Sequence, residues 1–342
     1  MKALVKAQPA RGAELQDRAV PEIGENDLLV KVKAAAICGT DIHIYHWGEF
    51  AASRMKLPLV FGHEFSGEVV EVGKNAGHFK AGDRIAGETH IPCENCYQCA
   101  TGLQHICKEM KIFGVHTDGA FAEYAVLPAV CAWRMSPETT YEIGATMEPF
   151  GIGVHALAKT KPLGKKVIVF GCGPIGIYAQ VVARLGGAEY VVGVDVSAPR
   201  VELAKKMGAD VVYNAKEVDV VEEVMTLTHG AGMDIVVELT GSKEAADQAT
   251  RTLTRGGDFV LVGLFDGPVQ LDLVNNIIYK EANCYGVTGR VMWDTWWTAQ
   301  GILDSGKVDI SPVTTHYFAL EDYEKALQLA ESASAGKIVF TF

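Results

Sequence analysis

The sequence of 342 residues predicts an α/β protein of two domains. One domain is strand-rich and takes in both ends of the chain; the other is a doubly wound parallel sheet inserted between them. Three observations carry this expectation. Short strand-like runs separated by Gly, Pro, Asn and Asp fill roughly residues 1–90. From residue 166 onward strand and helix patterns alternate, beginning with an unbroken apolar run and a glycine-rich turn. The closing run Gly336-Lys337-Ile338-Val339-Phe340 is suited to rejoin the amino-terminal region. The expected boundaries are 1–150 with 291–342 for the first domain and 151–290 for the second.

Composition narrows the class. Hydrophobic residues make up 49% of the chain and charged residues 21%, the balance of a globular protein and not of a disordered one. A net charge of −11 argues against a nucleic-acid partner. Met1-Lys2-Ala3-Leu4-Val5-Lys6-Ala7 reads as an opening strand and lacks the apolar centre of a signal peptide. No apolar run approaches the ~20 residues that span a bilayer, so the expectation is a cytoplasmic protein with no membrane partner. Eight cysteines in such a chain argue against a disulfide framework. Cys131, Cys172 and Cys284 sit among apolar or glycine residues and read as buried thiols.

In the first ninety residues, Leu28–Lys33 and the glycine-bounded Gly67–Gly73 read as strands, and Lys80–Asp83 as a turn before another. This is an all-β expectation, a distorted barrel whose loops carry the chemistry. Between the strands lie Cys38-Gly39-Thr40-Asp41-Ile42-His43 and Gly62-His63-Glu64. Cys38, His63 and Glu64 form the ligand set of a catalytic zinc with an open position. Thr40 and His43 are three residues apart, so in a helical turn a hydroxyl could pass a proton to an imidazole. Taken alone, Cys38 or His63 is better explained as a satisfied core residue; the argument rests on the constellation.

The most specific local pattern is Cys93, Cys96 and Cys99 at intervals of three, closed by Cys107. Four thiolates so spaced can wrap one tetrahedral zinc and leave no open position, making a structural site. Disulfides would need an oxidising compartment, and an iron–sulfur cluster would place its fourth cysteine nearer and before a proline. Strand patterns return between Phe113 and Trp133. Glu148 then precedes Pro149, which ends or kinks local structure. On spacing alone Glu148 reads as a solvated charge at a helix end.

Lys166–Phe170 is apolar without alternation, as inside a parallel sheet. It runs into Gly171-Cys172-Gly173-Pro174-Ile175-Gly176, a G-x-G-x-x-G turn opening an apolar helix to Leu185. The next strand, Tyr190–Val194, ends at Asp195. Glycines there permit a tight turn and close approach of a pyrophosphate to the helix amino terminus; the acid accepts ribose hydroxyls and repels a 2′-phosphate. Together these features mark a Rossmann-type dinucleotide site through Gly171, Gly173, Gly176 and Asp195, with NAD favoured over NADP. Arg200 is read as stacking on adenine, although an arginine can serve a 2′-phosphate. The rhythm continues through strands at Asp210–Asn214, Met233–Leu239 and Asp258–Gly263 and helices at Val218–Thr228 and Ala245–Leu253. Loops after Val262 and Tyr285 then fall at strand carboxyl ends, where the crevice forms. Of Trp293, Trp296 and Trp297, two are expected in the core. Glu321–Leu329 reads as a closing amphipathic helix.

Two zinc patterns, a dinucleotide fold and an amino-terminal β domain in this order resemble the zinc-dependent medium-chain alcohol dehydrogenases, over essentially the whole chain. Gly62-His63-Glu64-x2-Gly67-x5-Gly73-x2-Ala76 resembles that family's zinc signature, and the cysteine quartet its structural zinc lobe. Ile37–Tyr45 with Trp47, Glu88-Thr89-His90-Ile91, and Gly286–Arg290 with Trp293–Trp296 are most similar to the threonine-oxidising branch. The resemblance implies a GroES-like catalytic domain and two zinc ions per chain. It implies NAD-dependent oxidation of the 3-hydroxyl of L-threonine to 2-amino-3-oxobutanoate by a homotetramer. It further implies a Thr40–His43 relay, Glu148 near the metal in place of the solvated reading, and His90 near the substrate. It sets NAD against Ile175, Asp195, Arg200, Val262, Gly263, Leu264, Val287 and Thr288. One departure stands out: Gly151-Ile152-Gly153-Val154 replaces that branch's usual Gly-Asn-Ala-Val. A dehydrogenase of butanediol or a polyol is the alternative, and a redox-silent NAD-binding protein on the same fold is a further rival.

Overall fold

The structure, a computed structural model, describes every residue from Met1 to Phe342. Two compact units emerge, Met1–Pro149 with Arg290–Phe342, and Phe150–Gly289.

The first unit is organised on the ten-residue strand Asp27–Ala36, which is buried at seven of its ten positions. It pairs antiparallel with Glu64–Val72, with Tyr124–Pro128 and, at its far end, with Lys337–Thr341. The carboxy-terminal strand therefore completes the amino-terminal sheet, with Val339, Phe340 and Thr341 opposite Ala36, Ala35 and Ala34. A second sheet of three strands is built on Lys2–Lys6. Phe61, Phe65, Phe113, Phe121 and Phe340 fill the core. The ring pairs Phe61–Phe121 and Phe121–Phe340 meet edge to face, an arrangement that aromatic quadrupoles favour.

Three expectations need correction. The first ninety residues are not all β, because helices Gly39–His46 and Glu49–Arg54 leave the sheet. At the first of these, Cys38 is the N-cap and the Asp41 carboxylate accepts its backbone N–H at 2.8 Å, so the local polar run caps a helix. Pro149 does not end local structure: helix Tyr141–Ala158 runs straight through it. A mid-helix proline costs about 3 kcal/mol; Ala145, Met147, Phe150, Val154, Ala156 and Leu157, all buried, outweigh that. Glu148 is carried inside with them. Cys284 is exposed, because strand Asn283–Gly286 is the outermost of its sheet. Among the tryptophans, Trp296 is buried and Trp293 half-buried, while Trp297 faces solvent.

The second unit is a six-stranded, wholly parallel sheet. Its spatial order is Val211–Asn214, Tyr190–Asp195, Lys166–Phe170, Met233–Glu238, Leu253–Leu261 and Asn283–Gly286. The strand order reverses between Lys166–Phe170 and Met233–Glu238, and ligand crevices open at the carboxyl side of such a reversal. Both faces are apolar: one cluster holds Val167, Val169, Ile235 and Val237, the other Ile168, Phe170, Val236 and Phe259. Consecutive residues of one strand thus serve opposite faces, which explains the lack of alternation. No helix of the protein is long and apolar enough to cross a membrane.

Candidate active site

The cysteine quartet closes on itself. The ligand atoms of Cys93, Cys96, Cys99 and Cys107 lie within 4.8 Å of one another. Cys96 Sγ is 3.6 Å from Cys99 Sγ and 3.8 Å from Cys107 Sγ. A tetrahedron with Zn–S bonds of about 2.3 Å has sulfur–sulfur edges of about 3.8 Å, so the cluster has the size of a zinc site. A backbone N–H, that of Cys93, donates to Cys107 Sγ at 3.3 Å, a contact that stabilises a thiolate. A zinc held there would have all four positions taken by thiolates, with none left open for chemistry.

The second cluster is Cys38, His63 and Glu64, again with ligand atoms within 4.8 Å. Each is placed by a different local device. Cys38 caps the helix Gly39–His46. His63 follows Gly62, whose φ of +89° favours glycine and where a Cβ would lie 2.4 Å from the Phe121 ring. Glu64 opens the strand Glu64–Val72 and is held from behind by Lys337, which donates to Glu64 Oε1 at 2.8 Å and to the Ile37 carbonyl at 2.9 Å. Beneath them the buried Asp41 carboxylate has one oxygen 3.7 Å from His63 Nδ1. Burial lowers the affinity of His63 for a proton, but Asp41, Cys38 and Glu148 outweigh it and raise its pKa to about 10. Burial also raises the Glu64 carboxyl, against the pull of Lys337. A nest of acids that concentrates positive charge on an imidazole is equally suited to a metal cation. The donor set of one sulfur, one nitrogen and one oxygen fits zinc with a position to spare.

Thr40 Oγ1 lies 3.8 Å from Cys38 Sγ, at the edge of this cluster. His43 is one turn further along the same helix and exposed. No direct hydrogen bond joins the two side chains.

Beside the cluster is a buried charge network. The Arg290 guanidinium donates through Nε to Glu88 Oε2 at 2.8 Å and through Nη2 to Glu88 Oε1, while Nη1 pairs with Glu148 Oε1 at 2.8 Å. Trp296 Nε1 donates to Glu88 at 2.8 Å, and the His90 backbone N–H at 2.9 Å. His90 Nδ1 is 2.9 Å from both Glu88 Oε1 and Arg290 Nη2. Burial pushes the Glu88 carboxyl up, but Arg290 and His90 overcome it and hold the group well below the usual carboxylate range. The same carboxylates, Glu148 foremost, raise the Arg290 pKa against burial. Glu148, only 4% exposed, is therefore no solvated helix-end charge; its field reaches His63, Glu64 and Asp41.

In the second unit, the fingerprint turn Gly171–Gly176 joins strand Lys166–Phe170 to helix Pro174–Leu185. A Cβ on Gly176 would lie 1.8 Å from the Gly171 carbonyl, whereas one on Gly173 would meet only Arg200, at 3.9 Å. The first glycine contact closes the turn; the second leaves the helix amino terminus open to a phosphate. Asp195 ends its strand with Oδ2 accepting the Cys172 N–H at 2.7 Å and Oδ1 the Val196 and Ser197 N–H groups at 2.8 Å each. A cleft of about 550 Å³ is lined by Gly171, Gly173, Asp195 and Arg200 among others. Ile175 lies in the first turn of the helix. Val262-Gly263-Leu264 and Val287-Thr288 follow strands Leu253–Leu261 and Asn283–Gly286 at their carboxyl ends.

Sequence reasoning missed Asp41, Glu88, Arg290 and Lys337 as site residues. Glu88 and Arg290 stand in stretches already singled out for their resemblance. Lys337 carries one signal, a lone cation at the head of the apolar run Ile338-Val339-Phe340.

These two units and their donor clusters define a zinc-binding dehydrogenase. Residues 24–137 match the alcohol dehydrogenase GroES-like domain and residues 174–303 the zinc-binding dehydrogenase domain. The chain belongs to this family of oxidoreductases. Among its relatives is the L-threonine 3-dehydrogenase of Pyrococcus abyssi (strain GE5 / Orsay), 45% identical over 99% of this chain and 98% of the relative. Among solved structures, the 2R,3R-butanediol dehydrogenase of Bacillus subtilis superposes with a TM-score of 0.89 at 28% identity, covering 100% of this chain and 99% of that one. A candidate zinc-binding dehydrogenase from Sinorhizobium meliloti 1021, bound to NADP, superposes with a TM-score of 0.92 at 29% identity over 100% and 99% of the two chains.

Proposed function

We propose that this protein oxidises the 3-hydroxyl of L-threonine to 2-amino-3-oxobutanoate with NAD, using a zinc on Cys38, His63 and Glu64 and a structural zinc on the cysteine quartet. The observation that carries the substrate is the full-length 45% identity with a relative named for that reaction. The metal assignments rest on the closed Cys-His-Glu and four-cysteine clusters, and the choice of NAD on the carboxylate of Asp195. A homotetramer in the cytoplasm belongs to the same reading, and a molar-mass measurement on purified protein checks the assembly.

When bound, the zinc supplies Lewis acidity toward the substrate hydroxyl and NAD supplies the hydride acceptor. The chain's own residues do the rest. Glu64, Glu148 and Asp41 bring negative charge to the cluster, which suits an amino acid carrying an ammonium group. Thr40, beside Cys38, would relay the hydroxyl proton, accepting it only as its own proton passes on toward His43. His43, exposed a turn away, delivers it to solvent; the hop between them needs a bridging water or hydroxyl. His90, whose Nδ1 donates to Glu88, presents its remaining ring nitrogen to the substrate.

The test is NAD reduction by the zinc-loaded protein with L-threonine, 2,3-butanediol and sorbitol as substrates. A preference for L-threonine by orders of magnitude is expected. A preference for the diols would keep the zinc and NAD assignments and remove the threonine reading, with half-buried Ile152 the first residue to suspect. No turnover with any of them, with one zinc per chain, would favour the redox-silent rival.

A further inference from the structure

The cleft at the fingerprint turn is lined by Asp195 and by two cations, Arg200 and Lys216. The sheet sets them in order. The fingerprint turn follows strand Lys166–Phe170, Asp195 ends the next strand outward, and Lys216 follows Val211–Asn214, the outermost strand on that side. Asn214 pairs across with Asp195, and the Ala215 N–H donates to the Asp195 carbonyl at 3.0 Å, so Lys216 leaves the sheet beside the acid. Asn214 builds the turn there: Oδ1 accepts the Lys216 N–H at 3.1 Å and Nδ2 donates to Glu217 Oε1 at 2.6 Å. Glu217 is thereby engaged, and the exposed Lys216 ammonium has no carboxylate partner.

Asp195 is less able to exclude a phosphate than its position suggests. It is 8% exposed, and its two oxygens already accept three backbone N–H groups, those of Cys172, Val196 and Ser197. A carboxylate offers about four lone-pair sites, so about one remains, enough for one ribose hydroxyl and not for two. The N–H dipoles also offset part of its charge. Arg200 serves another part of the cleft: its guanidinium carbon is 3.9 Å from where a Gly173 Cβ would lie, at the fingerprint turn. The other acid lining the cleft, Glu244, follows strand Met233–Glu238, three strand positions from Val211–Asn214. At about 4.8 Å per strand, those two strand ends are about 14 Å apart.

A dinucleotide with its pyrophosphate on the helix amino terminus sets its adenosine ribose against Asp195. The 2′ and 3′ carbons lie across that ring from the 5′ carbon, hence on the side away from the fingerprint turn and toward Lys216. NAD carries a hydroxyl at the 2′ position and NADP a phosphate. We propose that Lys216 is a specificity-determining residue of the cofactor site, receiving a 2′-phosphate beside Asp195 and so admitting NADP as a second, weaker cofactor. NAD stays preferred, because the exposed ammonium is screened by solvent while the Asp195 carboxylate is buried at the ribose. This inference rests on the dinucleotide reading given above, and its test separates the two.

The experiment is equilibrium binding of NAD and of NADP to the zinc-loaded protein and to Lys216→Ala, Lys216→Arg, Asp195→Ser and Asp195→Ser/Lys216→Ala. The two cofactors differ only by the 2′-phosphate. Lys216→Ala should weaken NADP roughly three- to tenfold, the size of one charge-assisted contact at a solvated site, and leave NAD within about twofold. Lys216→Arg keeps the charge and should hold NADP within about twofold of the wild type. Asp195→Ser should bind NADP more tightly than the wild type does, and adding Lys216→Ala to it should cost NADP the same factor. That second pair carries the comparison where NADP binds the wild type too weakly to measure. NADP unchanged on removal of Lys216, NAD and NADP weakened by one common factor, or no measurable NADP binding even in Asp195→Ser overturns the inference. A wild-type chain that binds neither cofactor would remove the dinucleotide reading and this inference with it.

Discussion

Replacing Arg290 by methionine leaves two buried carboxylates, Glu88 and Glu148, without the cation they share. Removing one partner of a buried pair costs about 3–5 kcal/mol. The structure sets a ceiling of similar size. Glu88 is fully buried and keeps the Trp296 and His90 donors, so the folded variant can relieve its charge by taking up a proton. At pH 7 that uptake by a carboxyl with an unfolded pKa of about 4.3 costs roughly 2.7 × 1.36, or about 3.7 kcal/mol. The signs of the two pH dependences differ. In the wild type the folded Glu88 pKa is depressed, so its stabilisation is present above about pH 4.3 and is lost as pH falls through the folded value. In the variant the folded pKa is raised by burial, so stability falls as pH rises. The gap between the two proteins should widen by up to about 1.4 kcal/mol per pH unit, to about 1.6 kcal/mol at pH 5.5 and about 3.7 kcal/mol at pH 7. Urea unfolding of both at pH 5.5, 6.2 and 7 measures it, and Arg290→Met/Glu88→Gln should recover much of the loss at pH 7. A gap below about 1 kcal/mol, or one that does not move with pH, would refute the reasoning. Arg290→Lys should not rescue, because a single ammonium cannot serve Glu88 through two donors and reach Glu148 as well.

Three further outcomes are expected. Cys96→Ser should remove one metal from the count per chain and lower the unfolding temperature in metal-replete buffer, whereas Cys38→Ser should lose the other metal and activity with little change in melting; metal analysis and calorimetry check both. Asp195→Ser deletes an acceptor of three backbone N–H groups and the charge facing a 2′-phosphate, so the NAD-over-NADP ratio of kcat/KM should fall roughly 10–100-fold. His43→Ala should slow turnover most at low pH, where solvent base is scarce, and a rate profile that does not change with pH would count against the relay.

Local patterns in the sequence were enough for the parallel sheet and its glycine turn, since apolar runs, turn glycines and a strand-ending acid act over a few residues. The cysteine quartet was legible for the same reason: Cys93 to Cys107 spans one short loop, and spacing alone fixes a tetrahedron. So was Cys38 with His63 and Glu64, though only as a set of residue types. What the tertiary structure decided is how charges are matched across the chain. Glu88 and Arg290 are 202 residues apart, and Glu64 and Lys337 are 273 apart. Such pairs have no periodicity, and their ionisation follows from burial, which a sequence does not display. Glu148 shows the difference most directly. Its neighbour Pro149 argues locally for a helix end in water, yet a helix buried on both sides of the proline carries the carboxylate to Arg290, because packing of apolar side chains outweighs one lost backbone hydrogen bond.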